Sequence, residues 1–151
     1  MASIQPATGV ERHGTISISR LTEAYPLRIL VIDDEKFIAD TLVMILRQSG
    51  REAAAAYDGP AAVRRAETFQ PTVVISDVIM PGMNGIETCM NIQAKFPKCQ
   101  ILLFSGQAAT TELVRDAWEK GFKWELLAKP IEPEELLAKL SGLNHDTGAA
   151  L

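Results

Sequence analysis

Unbroken apolar runs alternate with helical stripes along most of this chain. Residues 29–32 (Ile-Leu-Val-Ile), 73–75 (Val-Val-Ile) and 100–104 (QILLF) have no polar interruption after their first position. That is the pattern of strands buried on both faces. Residues 52–57 are alanine-rich, which favours helix by propensity, but their short span between Gly50 and Asp58-Gly59 favours a tightly packed strand. Residues 122–128 read as a shorter fifth strand.

Helices are predicted between these runs. Residues 36–48 put Ile38, Leu42, Ile45 and Leu46 on one stripe, with Gly50 as a C-terminal cap. Residues 60–69 show Ala62, Val63, Ala66 and Phe69. Residues 86–96 show Ile86, Met90 and Ala94 at spacing four and stop at Pro97. A fourth helix, capped by Thr110 or Thr111, runs to Lys120 with Leu113, Val114, Ala117 and Trp118 inward, and Gly121 ends it. The last helix opens at Pro133 beside Glu134-Glu135, which suit a helix N-terminus sterically and through the macrodipole. Leu136, Leu137 and Leu140 form its apolar face, and Gly142 is expected to end it.

Five strand–helix alternations predict one α/β domain over residues 28–142, a doubly wound five-stranded parallel sheet with helices on both faces. Its crossovers should be right-handed. Residues 1–27 are polar, with Pro6, Gly9 and Gly14, and read as a flexible extension; the other reading is an arm that pairs with a sheet edge or a partner. Residues 143–151 read as a frayed tail.

Composition narrows the class. The chain has 151 residues, 47% of them apolar, enough for one domain with a core. A net charge of −4 gives no basic footprint for nucleic acid and no polybasic membrane anchor. No apolar run approaches the ~20 residues that cross a bilayer, and the N-terminus has no signal-peptide core. Cys89 and Cys99 are expected to stay reduced, Cys89 as packing. These features point to a cytoplasmic protein. His13 and His145 lie outside the predicted domain, which argues against a metal or relay role.

The chemistry lies where the strands stop. The first strand ends on Asp33-Asp34, the third on Asp77, the fourth on Ser105 and the fifth on Lys129. In a parallel sheet these C-terminal ends share one edge, where ligands of open α/β sheets bind. Three clustered carboxylates repel one another by ~1–4 kcal/mol per pair at about 4 Å. Oxygen donors without His or thiolate suit a hard cation, Mg²⁺ or Ca²⁺. Mg²⁺ leaves one carboxylate free to attack phosphorus and form an acyl phosphate. An ammonium and a hydroxyl would stabilise the charge on a transferred phosphoryl group.

These motifs resemble the receiver domain of response regulators in two-component signalling. The resemblance rests on Ile32-Asp33-Asp34-Glu35, residues 77–85 (DVIMPGMNG), Ser105-Gly106 and Lys129-Pro130, and covers residues 28–142. It implies a flavodoxin-like strand order 2-1-3-4-5. It also implies that Asp77 is the phosphoacceptor, taking its phosphoryl group from a sensor histidine kinase or a histidine phosphotransfer protein. Asp34 would hold Mg²⁺ directly and Asp33 through water, with Asp77 and the Ile79 backbone carbonyl completing the protein ligands. Ser105 would be the switch hydroxyl, Lys129 the phosphate-pairing cation, and the Lys129-Pro130 bond cis.

The chain departs from the family at the position three before the lysine, where receivers often carry an aromatic residue and this chain has Leu126. Trp124 lies two residues earlier, and Gly121 is one residue further from Lys129 than is common, so a bulged or lengthened fifth strand is expected. The positions that tune phosphoryl lifetime are Ile79 and Gln107. An apolar Ile79 cannot position an attacking water, which predicts slow self-dephosphorylation.

Nine residues follow Gly142, too few for a DNA-binding module, so the sequence reads as a stand-alone regulator or phosphorelay intermediate. It would not bind nucleic acid or membrane directly and would not be an enzyme beyond its own phosphotransfer and self-dephosphorylation. A homodimer is compatible with this reading. The fourth helix, fifth strand and fifth helix, with Trp118 and Trp124, form the candidate surface for a downstream protein. Three rivals remain. An Mg²⁺-dependent aspartyl phosphatase would want an acid where Ile79 stands. A flavodoxin-like electron carrier would suffer from the repulsion of Asp33-Asp34-Glu35 against a flavin phosphate. The third is an interaction module that works without phosphorylation; a chain cut from a larger protein is a further alternative.

Overall fold

The computed structural model describes residues 27–106 and 110–150. Five parallel strands form one sheet in the order β2-β1-β3-β4-β5. The strands are β1 (Arg28–Ile32), β2 (Glu52–Ala56), β3 (Val73–Asp77), β4 (Gln100–Ser105) and β5 (Glu125–Ala128). The helices are α1 (Lys36–Gln48), α2 (Gly59–Phe69), α3 (Gly85–Lys95), α4 (Thr110–Glu119) and α5 (Pro133–Ala150). The fold class is the one expected from the pattern of runs, and the strand order is the one implied by the family resemblance.

The period of two along each strand sorts the core into two layers. Ile29, Val31, Ile75 and Phe104 pack with Leu42, Leu46, Leu136 and Leu140, beneath α1 and α5. Leu30, Ile32, Val74 and Leu103 pack with Ala62, Ala66, Ile86 and Ile92, beneath α2 and α3. The central strand β3 is buried at every position. The alanines of β2 let α1 and α2 approach from either side, with Ala53 in one layer and Ala54 and Ala56 in the other.

The helix ends follow local chemistry. Gly50 (φ +90°) and Gly121 (φ +100°) take the left-handed conformation just beyond α1 and α4. In each case the next residue's N–H reaches back five residues, Arg51 to the Leu46 carbonyl and Phe122 to that of Ala117, a Schellman arrangement. Asp58 accepts from the Ala61 N–H at 2.7 Å to cap α2. Asn84 and Glu87 form a reciprocal capping box at the start of α3.

Several sequence expectations need correction. The buried stripe of α3 is Ile86, Cys89 and Ile92; Met90 is half-buried and Ala94 exposed. Spacing three, not four, dominates there, because α3 packs against both the sheet and α2. α4 already includes Thr110 and Thr111, so neither precedes the helix as a cap. Trp118 was expected inward, yet it is half exposed, and Ala117 is the buried residue of that turn. β5 is neither bulged nor lengthened: Leu102–Ser105 pair in unbroken register with Glu125–Ala128. Residues 121–124 form a turn and loop that precede β5. Gly142 does not end α5, which continues to Ala150; without a positive φ, glycine weakens a helix without stopping it. Expectations for the extension over residues 1–26, including His13, and for Gln107 lie outside the described residues, as does the His145 side chain.

Candidate functional site

The carboxyl ends of β1, β3, β4 and β5 bring the sequence-predicted residues together. Asp33 follows β1 directly and is fully buried, its N–H donating to the Ala56 carbonyl at 3.2 Å. Its Oδ1 accepts from the Glu35 N–H at 2.9 Å, which fixes the carboxylate at the entrance to α1. Asp34, next along, is exposed. Asp77 closes β3 and is 7% exposed. Carboxylate oxygens of Asp33, Asp34 and Asp77 lie within 4.8 Å of one another.

Lys129 leans into this cluster from the end of β5. Its Nζ stands 3.3 Å from Asp33 Oδ2 and 3.4 Å from Asp77 Oδ2. The Lys129 backbone N–H donates to the Ser105 carbonyl at 3.2 Å, which ties the loop after β5 to the end of β4. Asp77 pairs with Phe104 across the β3–β4 ladder, so half-buried Ser105 lies one residue beyond Asp77 on the adjacent strand. The Lys129-Pro130 peptide is cis, as the resemblance implied.

Electrostatics make the cluster costly without a further cation. Burial, foremost, pushes the Asp77 carboxyl above the ordinary carboxylate range; repulsion from Asp33 and Asp34 adds to it and Lys129 opposes it. Burial works against the Lys129 charge too, but Asp77 and Asp33 outweigh it and raise the ammonium's pKa. Three carboxylates against one ammonium leave two negative charges. That balance, with an all-oxygen donor set, fits a hard divalent ion such as Mg²⁺. Asp33, Asp34 and Asp77 are the side chains that could hold it; the Ile79 carbonyl belongs to the loop just after β3.

Sequence reasoning missed part of the support. Gly85 entered the sequence reading only as the last residue of the 77–85 motif, but a Cβ there would sit 1.9 Å from the Asp77 carbonyl oxygen. The start of α3 therefore packs directly on the Asp77 backbone, and the Gly85 N–H donates to the Val78 carbonyl at 2.8 Å. Phe37 was also missed. It is 82% exposed on the rim of a groove of about 270 Å³ shared with Ile38, Phe104, Lys129 and Pro130. Its one sequence signal was an aromatic outside the α1 stripe. Trp124 moves the other way: expected in part on a surface, it is buried, and its indole N–H donates to Gln93 Oε1 at 3.2 Å. Burial pushes the Cys89 thiol up, and it pushes that of Cys99 up to about 12, so neither offers a nucleophile to the site.

Comparison with known proteins identifies the family. The response regulator receiver domain family matches residues 29–141. The probable transcriptional regulatory protein TcrX of Mycobacterium tuberculosis is 30% identical over 129 residues, covering 85% of this chain and 54% of that protein. The DNA-binding response regulator MtrA of Mycobacterium leprae is 33% identical over 113 residues, 75% of this chain and 49% of that protein. The chain thus spans about half the length of these relatives. Among solved structures, chemotaxis protein CheY4 of Vibrio cholerae aligns with a TM-score of 0.68 at 28% identity, covering 77% of this chain and 97% of that one. A two-component transcriptional regulator of Clostridium phytofermentans aligns with a TM-score of 0.67 at 34% identity, covering 76% of this chain and 89% of that one. The chain belongs to the response-regulator receiver family of two-component signalling.

Proposed function

We propose that this chain is a phosphorylation-dependent switch in which Asp77 is the phosphoacceptor. The observation that carries the reading is the meeting of three carboxylates and one ammonium at the C-terminal edge of the sheet. A carboxylate oxygen of Asp77 attacks the phosphorus of a phosphohistidine on a sensor kinase or phosphotransfer protein; the new P–O bond forms as the P–N bond to the imidazole breaks. Lys129 pairs with the phosphoryl oxygens, and the Ser105 hydroxyl donates to them from the adjacent strand. Mg²⁺, held by Asp33, Asp34, Asp77 and the Ile79 carbonyl, would neutralise charge on the transferring group.

Charge arriving on Asp77 draws Ser105 inward and shifts the face made by α4, β5 and α5. Half-exposed Trp118 and exposed Leu126 mark that face for a downstream protein partner, and Trp124 lies beneath it. Trp118 Nε1 donates to the Trp124 carbonyl at 3.2 Å, linking α4 to the segment before β5. Ile79, half-buried and apolar, offers no hydrogen bond to an attacking water, which favours a long-lived acyl phosphate. A cytoplasmic setting follows from a kinase donor; among the described residues no helix is long and apolar enough to cross a membrane.

Intact mass after incubation with acetyl phosphate and Mg²⁺ tests the reading. The expected result is a gain of one phosphoryl group that disappears in Asp77→Asn and with chelator. No gain in the wild type would overturn it in favour of an interaction module independent of phosphorylation.

A further inference from the structure

We infer that the ring of Phe104 is a positioning residue for Lys129, holding its ammonium over the site by a cation–π contact. The inference rests on the reading of Lys129 as the phosphate-pairing cation and adds what keeps that cation in place.

Lysine carries its charge on a flexible four-carbon stem, so a defined ammonium position needs fixed partners. Lys129 Nζ has two carboxylate contacts, Asp33 at 3.3 Å and Asp77 at 3.4 Å, and lies 4.9 Å from the Phe104 ring centroid. The carboxylates change during the reaction: Asp77 becomes the acyl phosphate, and Asp33 is a candidate to share its oxygens with a metal. The Phe104 face carries the same negative quadrupole before, during and after transfer.

The ring is also well anchored. Phe104 is fully buried in the layer beneath α1 and α5, and its backbone pairs with Asp77 on one side and Leu127 on the other. The phosphoacceptor, the ring and the strand that delivers Lys129 therefore lie side by side. The position three before the lysine, often aromatic in receivers, is Leu126 here, whereas the aromatic side chain that meets the ammonium comes from β4. A fully buried ring cannot swing in and out, so its role is support rather than signalling.

Core packing alone would also explain a buried phenylalanine, and replacing it with leucine changes packing and quadrupole together. The discriminating experiment places phenylalanine and its mono-, di- and trifluorinated analogues at position 104 of the full chain. Fluorination removes the quadrupole stepwise while nearly preserving shape. Phosphoryl uptake from acetyl phosphate at saturating Mg²⁺ is expected to slow with each fluorine, by about three- to tenfold across the series, in proteins that remain fully folded at the assay temperature. In the unfluorinated protein, the Lys129 ε-methylene NMR signal, assigned by its loss in Lys129→Arg, is expected upfield of its random-coil position through the ring current. A random-coil signal, or uptake rates equal across the series, overturns the inference alone. Absence of uptake in the wild type overturns the reading of the site on which it rests.

Discussion

At the scale of single residues, the site is a balance between burial and charge. The folded-state pKa of Asp77 is raised, so folding favours its protonated form. The resulting penalty on stability is complete above the folded pKa and vanishes as pH falls below the unfolded value of about 3.9. Without Mg²⁺, Asp77→Asn should therefore raise the melting temperature at pH 7, and the gain should shrink as pH falls toward about 4. Thermal melts of both proteins across that window check it; an equal gain at all pH values would assign the effect elsewhere. Gly85 is controlled by space instead. Gly85→Ala would put a methyl 1.9 Å from the Asp77 carbonyl oxygen, and the forced shift should cost at least ~1–3 kcal/mol and slow phosphoryl uptake. Urea denaturation and the mass assay read the two effects separately. The five polar residues that end the strands were legible one by one in the sequence, because each follows an apolar run. The Gly85–Asp77 contact was not, since it joins residues eight apart through a loop whose path no periodicity encodes.

At the scale of elements, the helix boundaries test how glycine works. Gly50 and Gly121 end helices because they take positive φ, and both were recognised as stops. Gly142 was read by the same rule, but α5 continues through it, and nothing lies within 4 Å of where its Cβ would be. Gly142→Ala is accordingly expected to stabilise the protein by about 0.5–1 kcal/mol, measured by urea denaturation. A loss of stability would return Gly142 to the role of a left-handed cap. Stripe assignments succeeded best where one face meets one layer, as for Leu42 and Leu46 in α1. They failed in α3 and at Trp118, where a second helix or the molecular rim decides what is covered.

For the whole molecule, the charge left at the sheet edge should couple folding to a divalent ion. A ligand that binds only the folded state stabilises it by mass action, by about 2.7 kcal/mol at a hundred times its dissociation constant. Mg²⁺ is expected to raise the wild-type melting temperature, and Asp34→Asn should reduce that response because Asp34 belongs to the carboxylate cluster. An equal Mg²⁺ response in the variant would remove Asp34 from the ion site. The same sheet edge carries the strand ends that tie Ser105 to Lys129, so a change there reaches β4 and β5 directly.

The sequence by itself determined the α/β class, the five strands and the polar ends of four of them, and the flavodoxin-like order through family resemblance. Those features are local: hydrophobic period, turn residues and short motifs act within a few positions along the chain. Only the tertiary structure decided that Phe104 meets Lys129, that Gly85 presses on Asp77, and that Trp124 is buried while Trp118 is half exposed. Those depend on which neighbours cover a given face and how closely two backbones approach. Periodicity states that a side chain has an inner face; packing decides what it touches there.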